Sequence, residues 1–350
     1  MIEVGILGAS GYAGSELVRL LVQREDVQLN FLGANRQAGS AVSDLYPNIY
    51  QRLIQDYEVV DLQDPKTFNG LDLLFSCLPH GQSQAAVAQA YQAGVRVIDF
   101  SADYRLKSPK TYEGWYNTKH AYPKLLAEAV YGLIELHRQA IEKAAIIANP
   151  GCFPTAMLLG LAPLTQAGLL DGVPSIIADC KSGLSGAGRN LQGHLLFTEV
   201  NENVNPYAAG VHRHTPEVEE QLHRLQGSVQ TQVNFIPHLV PTQRGILASL
   251  YVQAQEPITE DELREMYQTF YKGASFIRIL KEGIYPQMKA VTGSNYVDIQ
   301  VQVNERTGLI YIFVVIDNLI KGAAGQAVQN MNVMFNLPEE TGLTAIGLLP

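Results

Sequence analysis

The stretch Gly8-Ala9-Ser10-Gly11-Tyr12-Ala13-Gly14 constrains this chain more than any other. It follows an apolar run, Ile2 to Leu7, and leads into a helical pattern through Leu17, Leu20 and Leu21. Glycine at every third position between a strand and a helix permits a tight turn. It also lets the backbone approach a pyrophosphate, which rests on the helix N-terminus. A plain glycine turn would share the spacing, but the strand–turn–helix context is the one a dinucleotide site requires. The expected cofactor contacts here are Gly8, Ser10, Gly11, Tyr12, Ala13 and Gly14.

The runs Gln28 to Leu32, Tyr57 to Leu62, Leu71 to Phe75, Val95 to Phe100 and Ala144 to Ala148 read as further strands, and Gln82 to Ala93 as a helix. This alternation predicts an open parallel sheet of Rossmann type in the first half. The second strand runs into Gly33-Ala34-Asn35-Arg36, with no Asp or Glu for the ribose hydroxyls. Arg36 is placed either to receive a 2′-phosphate or to stand as a solvated charge, so NADP(H) is expected over NAD. Ser76-Cys77-Leu78-Pro79-His80-Gly81 lies at the carboxyl end of a strand and is a candidate cofactor wall. Ser76, Leu78 and Pro79 are its expected contacts, with Cys77 and His80 structural. Arg105 either holds an anionic group bidentately or pairs with Asp103. Lys107 to Lys124, with Tyr112, Trp115, Tyr116 and Tyr122, reads as a covering loop.

Asn149-Pro150-Gly151-Cys152-Phe153-Pro154-Thr155 follows a buried strand and precedes an apolar helical run, Ala156 to Leu164. Cys152 is thus expected on a strand-to-helix turn, with Pro154 in the first helical turn, where its missing N–H costs nothing. A thiol at a helix N-terminus is shifted toward the nucleophilic thiolate. The competing reading is a cysteine that fills space.

A nucleophile needs a base, and Val211-His212-Arg213-His214-Thr215-Pro216-Glu217 offers one. Thr215 reads as an N-cap and Pro216 as the first helical residue. His214 then stands just outside a helix N-terminus, where the neutral ring is favoured and can accept a proton. His212 competes for that role. A His-x-His pair also suits a metal, but no matching ligand spacing accompanies it, and none is expected. Ser182 to Arg189 is rich in small residues and is either an anion nest or a flexible loop. Cys180 reads as core. Phe197 to Ala209 reads as irregular. Thr231 to Leu239, Ile246 to Gln255, Tyr296 to Val303 and Leu309 to Ile316 alternate as strands of a mixed or antiparallel sheet, with a helix over Ile258 to Lys272. From Asp317 a long helix is expected to run to about Phe335 and return to the first domain. The division is 1–149 plus about 318–350 for cofactor binding, and 150–317 for catalysis and oligomerisation.

Composition narrows the partners. The 350 residues suit two domains, and a net charge of −9 argues against general nucleic-acid binding. No apolar segment is long enough to cross a bilayer, and the N-terminal residues lack a signal-like region. Three cysteines without Cys-x-x-Cys spacing suit a reducing compartment. Taken together, the residues describe a dehydrogenase that forms a thioester on Cys152, reduces it with a nicotinamide hydride, and uses Arg105 and Arg213 for an anionic substrate.

The glycine stretch, the Pro-Gly-Cys motif, Ser182 to Arg189, His212-Arg213-His214-Thr215-Pro216-Glu217 and Asn318-Leu319-Ile320-Lys321-Gly322-Ala323-Ala324-Gly325-Gln326-Ala327 together resemble the N-acetyl-gamma-glutamyl-phosphate reductase family, across nearly the whole chain. That family is similar in fold and chemistry to aspartate-semialdehyde dehydrogenase. The resemblance implies NADPH-dependent, phosphate-releasing reduction of N-acetyl-gamma-glutamyl phosphate to the semialdehyde, in arginine biosynthesis. It implies a cytoplasmic homodimer or homotetramer, with Cys152 as nucleophile and His214 as acid/base. On the matching motifs it places Asn149, Ser185, His212 and Arg213 at the substrate, and Gly183 and Asn318 at the cofactor. A relative acting on aminoadipyl or aspartyl phosphate would look much the same. A non-catalytic NADP-binding redox regulator would share the glycine stretch.

Overall fold

In the computed structural model the chain is described over residues 1–34, 39–49, 59–60, 68–227 and 230–349. It divides into two units: residues 1–150 with 323–344, and residues 151–322 with 345–350. Among the described residues no helix is long and apolar enough to cross a membrane.

Among the described residues the first unit holds seven strands: β1 (Ile2–Leu7), β2 (Val27–Gly33), β3 (Val59–Val60), β4 (Leu73–Ser76), β5 (Arg96–Asp99), β6 (Ala129–Tyr131) and β7 (Ile146–Ala148). Their order is β3-β2-β1-β4-β5-β7-β6, and every pairing is parallel. Parallel strands covered on both faces read as continuous apolar runs, and β4 and β7 are buried at every position. Leu7, Leu74, Val97 and Ile146 pack in one cluster with Val87 and Ala90 of the helix Ser83–Gln92. The register aligns Leu7 with Ser76, Ser76 with Asp99, and Asp99 with Ala148. Four loops therefore leave the same edge of the sheet, after Leu7, Ser76, Asp99 and Ala148. The expected strand from Tyr57 to Leu62 survives as β3; its other residues, like Arg36, lie outside the described ones.

Residues 107–124 are a correction. They carry a helix, Pro109–Tyr116, which Ser108 caps by accepting from the Thr111 amide. Tyr112 on this helix is fully buried, and its polar-aromatic neighbours conceal an ordered element.

The second unit holds β8 (Ser175–Ser182), β9 (Asn205–Pro206), β10 (Gln232–Leu239), β11 (Ile246–Gln253), β12 (Ile277–Ile279), β13 (Val297–Asn304) and β14 (Leu309–Ile316). The order β12-β13-β14-β11-β8-β10-β9 mixes parallel β8–β10 and β12–β13 pairs with antiparallel ones, as expected. The helix Cys152–Gln166 packs on β11 and β14, closely because Gly160 faces Leu250 and Val314. Pro163 inside this helix leaves the Leu159 carbonyl without its helical donor. The Tyr271 hydroxyl supplies one at 2.5 Å, and the neighbouring Gly160 carbonyl accepts from Tyr267. The irregular stretch 197–209 includes a short helix, Phe197–Val200, and β9. The helix expected from Asp317 is in two parts, a π-helical turn Ile320–Ala324 and an α-helix Gly325–Met334.

Candidate active-site elements

At the edge of the first unit each glycine of the opening stretch has its own reason. Gly8 adopts φ +76°, and a Cβ there would lie 2.5 Å from the Cys77 carbonyl oxygen. A Cβ on Gly14 would run into the Gly8 carbonyl. Gly11 is different: a Cβ would meet only the Gly8 oxygen, at 3.5 Å, an ordinary contact. Among the described residues nothing demands a glycine at position 11, and a bare backbone there suits the close approach of a dinucleotide. Gly11 caps the helix Tyr12–Leu21 without a side-chain bond, and no acidic residue occupies the first turn. That leaves the positive helix end uncompensated, as an anion requires. Ser10 and Ala13 are half-buried and Tyr12 is exposed beside them.

The Ser76–Gly81 wall follows β4. Leu78 is half-buried and Pro79 exposed, but the Ser76 hydroxyl is fully buried and bonded to Ser83 at 2.6 Å, so its side chain cannot meet a cofactor. Burial pushes the Cys77 thiol far up, with Asp99 adding to it, and His80 Nδ1 accepts from the Ala102 amide. Both behave as structural groups. Arg105 does not pair with Asp103: it donates to the carbonyls of Asn149 at 2.8 Å and Phe100 at 2.7 Å. The Asn149 side chain, placed at the substrate from sequence, is 1% exposed. It donates to the Ala323 carbonyl and accepts from Asn330, which makes it a brace for the strand end.

In the second unit Gly151 is the N-cap of the helix that begins at Cys152. The bare Gly322 leaves room for Cys152, since a Cβ there would lie 2.8 Å from the cysteine Cβ. The Gly151 amide donates to the Glu217 carboxylate at 2.8 Å, which removes it from any oxyanion hole. Glu217, given no role from sequence, is buried in the first turn of the helix Thr215–Leu225. An acid at the third position of a helix is the local signal such a residue carries. His214, not Thr215, is the cap residue, and its ring forms no capping bond.

The two histidine rings pack on each other and on Phe153, the neighbour of Cys152. Ring centroids are 4.8 Å apart between His212 and His214, 5.8 Å between Phe153 and His212, and 6.1 Å between Phe153 and His214. Phe235 and Tyr207 close the cluster around His212. Burial, then the Arg213 charge, lowers His212 to about 4. Its Nδ1 accepts from the His214 amide at 3.1 Å, so the neutral ring carries its proton on Nε2 and presents a donor. His214 Nδ1 is buried. Arg213 is exposed.

The loop after β8 is neither nest nor flexible. It forms a 3₁₀ turn, Leu184–Ala187, and the amides of Gly183, Leu184 and Ser185 donate to the carbonyls of Gly245, Thr242 and Gln243. Gly183 is small because Arg244 backbone lies against it. Asn318 accepts from the Gly245 amide at 2.8 Å and donates to the Ser185 hydroxyl at 3.0 Å, bracing the loop with its own side chain. Cys180 is buried, as expected.

Residues 3–144 match the family model "semialdehyde dehydrogenase, NAD binding domain", and residues 152–318 match "semialdehyde dehydrogenase, dimerisation domain". The chain belongs to the semialdehyde dehydrogenase family. Within it the chain groups with the N-acetyl-gamma-glutamyl-phosphate reductases. It is 46% identical over 350 residues to the one from Halothermothrix orenii and 45% identical to the one from Alkaliphilus metalliredigens, covering all of both chains in each case. The fold is that of solved aspartate semialdehyde dehydrogenases. Enzyme II of Vibrio cholerae, complexed with ASA, has a TM-score of 0.73 at 20% identity, with 96% of this chain and 98% of that one covered. The Candida albicans enzyme with NADP has a TM-score of 0.71 at 17% identity over the same shares.

Proposed function

We infer that this chain reduces N-acetyl-gamma-glutamyl phosphate to N-acetyl-glutamate 5-semialdehyde with release of phosphate, in arginine biosynthesis in the cytoplasm. The observation that carries the reading is full-length similarity to reductases of that name, joined to Cys152 at a helix N-terminus whose next residue packs against two histidines.

The helix end favours the thiolate of Cys152. His214 accepts the thiol proton at Nε2. The sulfur attacks the acyl carbon, the carbon–oxygen bond to phosphate breaks, and the phosphate departs with the proton that His214 held, leaving a thioester. The His212 Nε2–H is the donor that suits the carbonyl oxygen, because that ring stays neutral. When bound on the first unit, the nicotinamide supplies a hydride. The resulting thiohemiacetal collapses by breaking the carbon–sulfur bond, which frees the aldehyde and returns the thiolate. Arg105 and Arg213 are the cations proposed for the substrate's anionic groups.

The cofactor reading is NADP(H), supported by Gly33-Ala34-Asn35-Arg36, which lacks a ribose-binding acid. Gly8, Ser10, Gly11, Tyr12, Ala13, Gly14, Leu78 and Pro79 are its proposed contacts. Self-association as a homodimer or homotetramer fits the second face of the β8–β14 sheet. There Ile177, Leu247, Tyr251, Tyr311 and Phe313 are exposed or half-buried in adjacent register.

The deciding experiment measures phosphate-dependent reduction of NADP and of NAD with N-acetylglutamate semialdehyde, beside the aspartate and aminoadipate counterparts. Preference for the first substrate with NADP is expected. Equal or better use of another semialdehyde would overturn the substrate assignment, and binding of NADP without turnover would leave only a regulator.

A further inference from the structure

The loop 77–82 is tied to residues 99–103 through Ser83, Gly81 and His80, all within the first unit. At its start the Ser76 hydroxyl meets Ser83, and Ser83 donates to the Asp99 carboxylate at 2.5 Å. Ser101 holds the other Asp99 oxygen at 2.6 Å. In the middle, Gly81 at φ +79° donates its amide to both Asp103 oxygens, at 2.8 and 3.0 Å. Next to it His80 accepts from the Ala102 amide at 2.9 Å. The buried Tyr112 hydroxyl donates to Asp103 at 2.7 Å, so the helix Pro109–Tyr116 backs the arrangement. The same loop touches the glycine turn, where the Cys77 amide donates to the Leu7 carbonyl at 2.8 Å.

We propose that Asp99 and Asp103 are positioning residues for the dinucleotide, whose paired carboxylates hold the Leu78–Pro79 wall at the distance from the Gly8–Gly14 turn that the bound cofactor needs. The proposal rests on the reading of that wall as part of the cofactor site. Both acids are fully buried, and two like charges in a core are an unfavourable choice unless their geometry is required. Asp99 receives three donors, from Ser83 and Ser101, and Asp103 two, the Gly81 amide shared between both its oxygens and the Tyr112 hydroxyl. Among the described residues Asp103, Cys77 and Tyr104 interact with Asp99, and these three carry no positive charge to offset it.

The test compares Asp103→Ala, Asp99→Asn and Tyr112→Phe with Leu78→Trp, which alters the wall itself. NADPH binding is followed by its fluorescence, and KM and kcat are measured for both substrates. Asp103→Ala is expected to weaken NADPH binding about tenfold, the loss of a charge-assisted pair of bonds. Its kcat at saturating NADPH and its KM for the acyl phosphate should stay near the parent's. Asp99→Asn should weaken NADPH binding at pH 7.5. If Asp103→Ala does not fold, the isosteric Asp99→Asn and Tyr112→Phe decide. The proposal is overturned if these variants bind NADPH like the parent while Leu78→Trp does not. It is also overturned if kcat and both KM values shift together, as for general loosening. Should Leu78→Trp bind normally, the wall reading fails as well.

Discussion

The Gly151 amide and the Glu217 carboxylate, 2.8 Å apart, join the cap of the helix that begins at Cys152 to the first turn of the helix behind His214. One bond thereby fixes where sulfur and imidazole stand relative to each other. Glu217→Ala should lower kcat by about one to two powers of ten, the scale of a small misplacement of reacting groups. Glu217→Gln keeps an acceptor for Gly151 and should retain most of the rate. Steady-state kinetics of the two variants check this, and equal losses would refute the tether.

His212 makes the protein sensitive to mild acid. Its folded value of about 4 lies below the ordinary 6.5. Between those values the unfolded chain binds a proton that the native state refuses, so stability is lost as pH falls through that window. The loss attributable to this ring is up to about 3 kcal/mol. His212→Asn preserves an acceptor for the His214 amide and should flatten that part of the stability curve. Denaturant melts at pH 7 and pH 4.5 give the comparison.

Asp99 acts in the opposite sense. Burial, then the Asp103 charge, raises it from 3.8 to about 6. The native state keeps a proton that the unfolded chain has released, so stability falls as pH rises from 3.8 to 6 and stays lower above it. The full cost is about 3 kcal/mol. Asp99→Asn should therefore melt higher than the parent at pH 7.5, with the gain shrinking toward pH 4, even while NADPH binding weakens. A variant less stable at every pH would contradict this.

Gly11 and Gly14 should separate binding from folding. Alanine at Gly14 forces the Gly8 carbonyl to move and should destabilise by about 1–3 kcal/mol. Among the described residues alanine at Gly11 meets only an ordinary contact, so the protein should melt like the parent yet bind NADPH at least about tenfold more weakly. Thermal melts beside fluorescence titrations distinguish the two.

Sequence reading succeeded where chemistry is local. The turn after β1, Cys152 at its helix end and the paired histidines announce themselves within a few residues, because spacing and capping act over that range. It misjudged residues whose partners are remote. Asn149 looks like a polar group at a site, yet Asn330 and Ala323 occupy it. Asn318 likewise serves Gly245 and Ser185. The supposed nest after β8 vanished because its amides meet carbonyls of residues 242–245. Glu217 was passed over for the same reason, since its partner lies 66 positions away. The helix Pro109–Tyr116 was the avoidable miss, for Ser108-Pro109 is a standard start signal.

Residues 323–344 complete the first unit after 172 residues of the second have intervened. Arg24 reaches Asn332 and Thr341, Arg96 reaches the Met334 carbonyl, and Gly132 accepts from Asn330. During synthesis the nucleotide-binding half therefore emerges first but matures last, waiting for a closing helix that the ribosome delivers near the end. A nascent or truncated chain ending at residue 150 would expose the seat of that helix, so premature termination yields no working cofactor module.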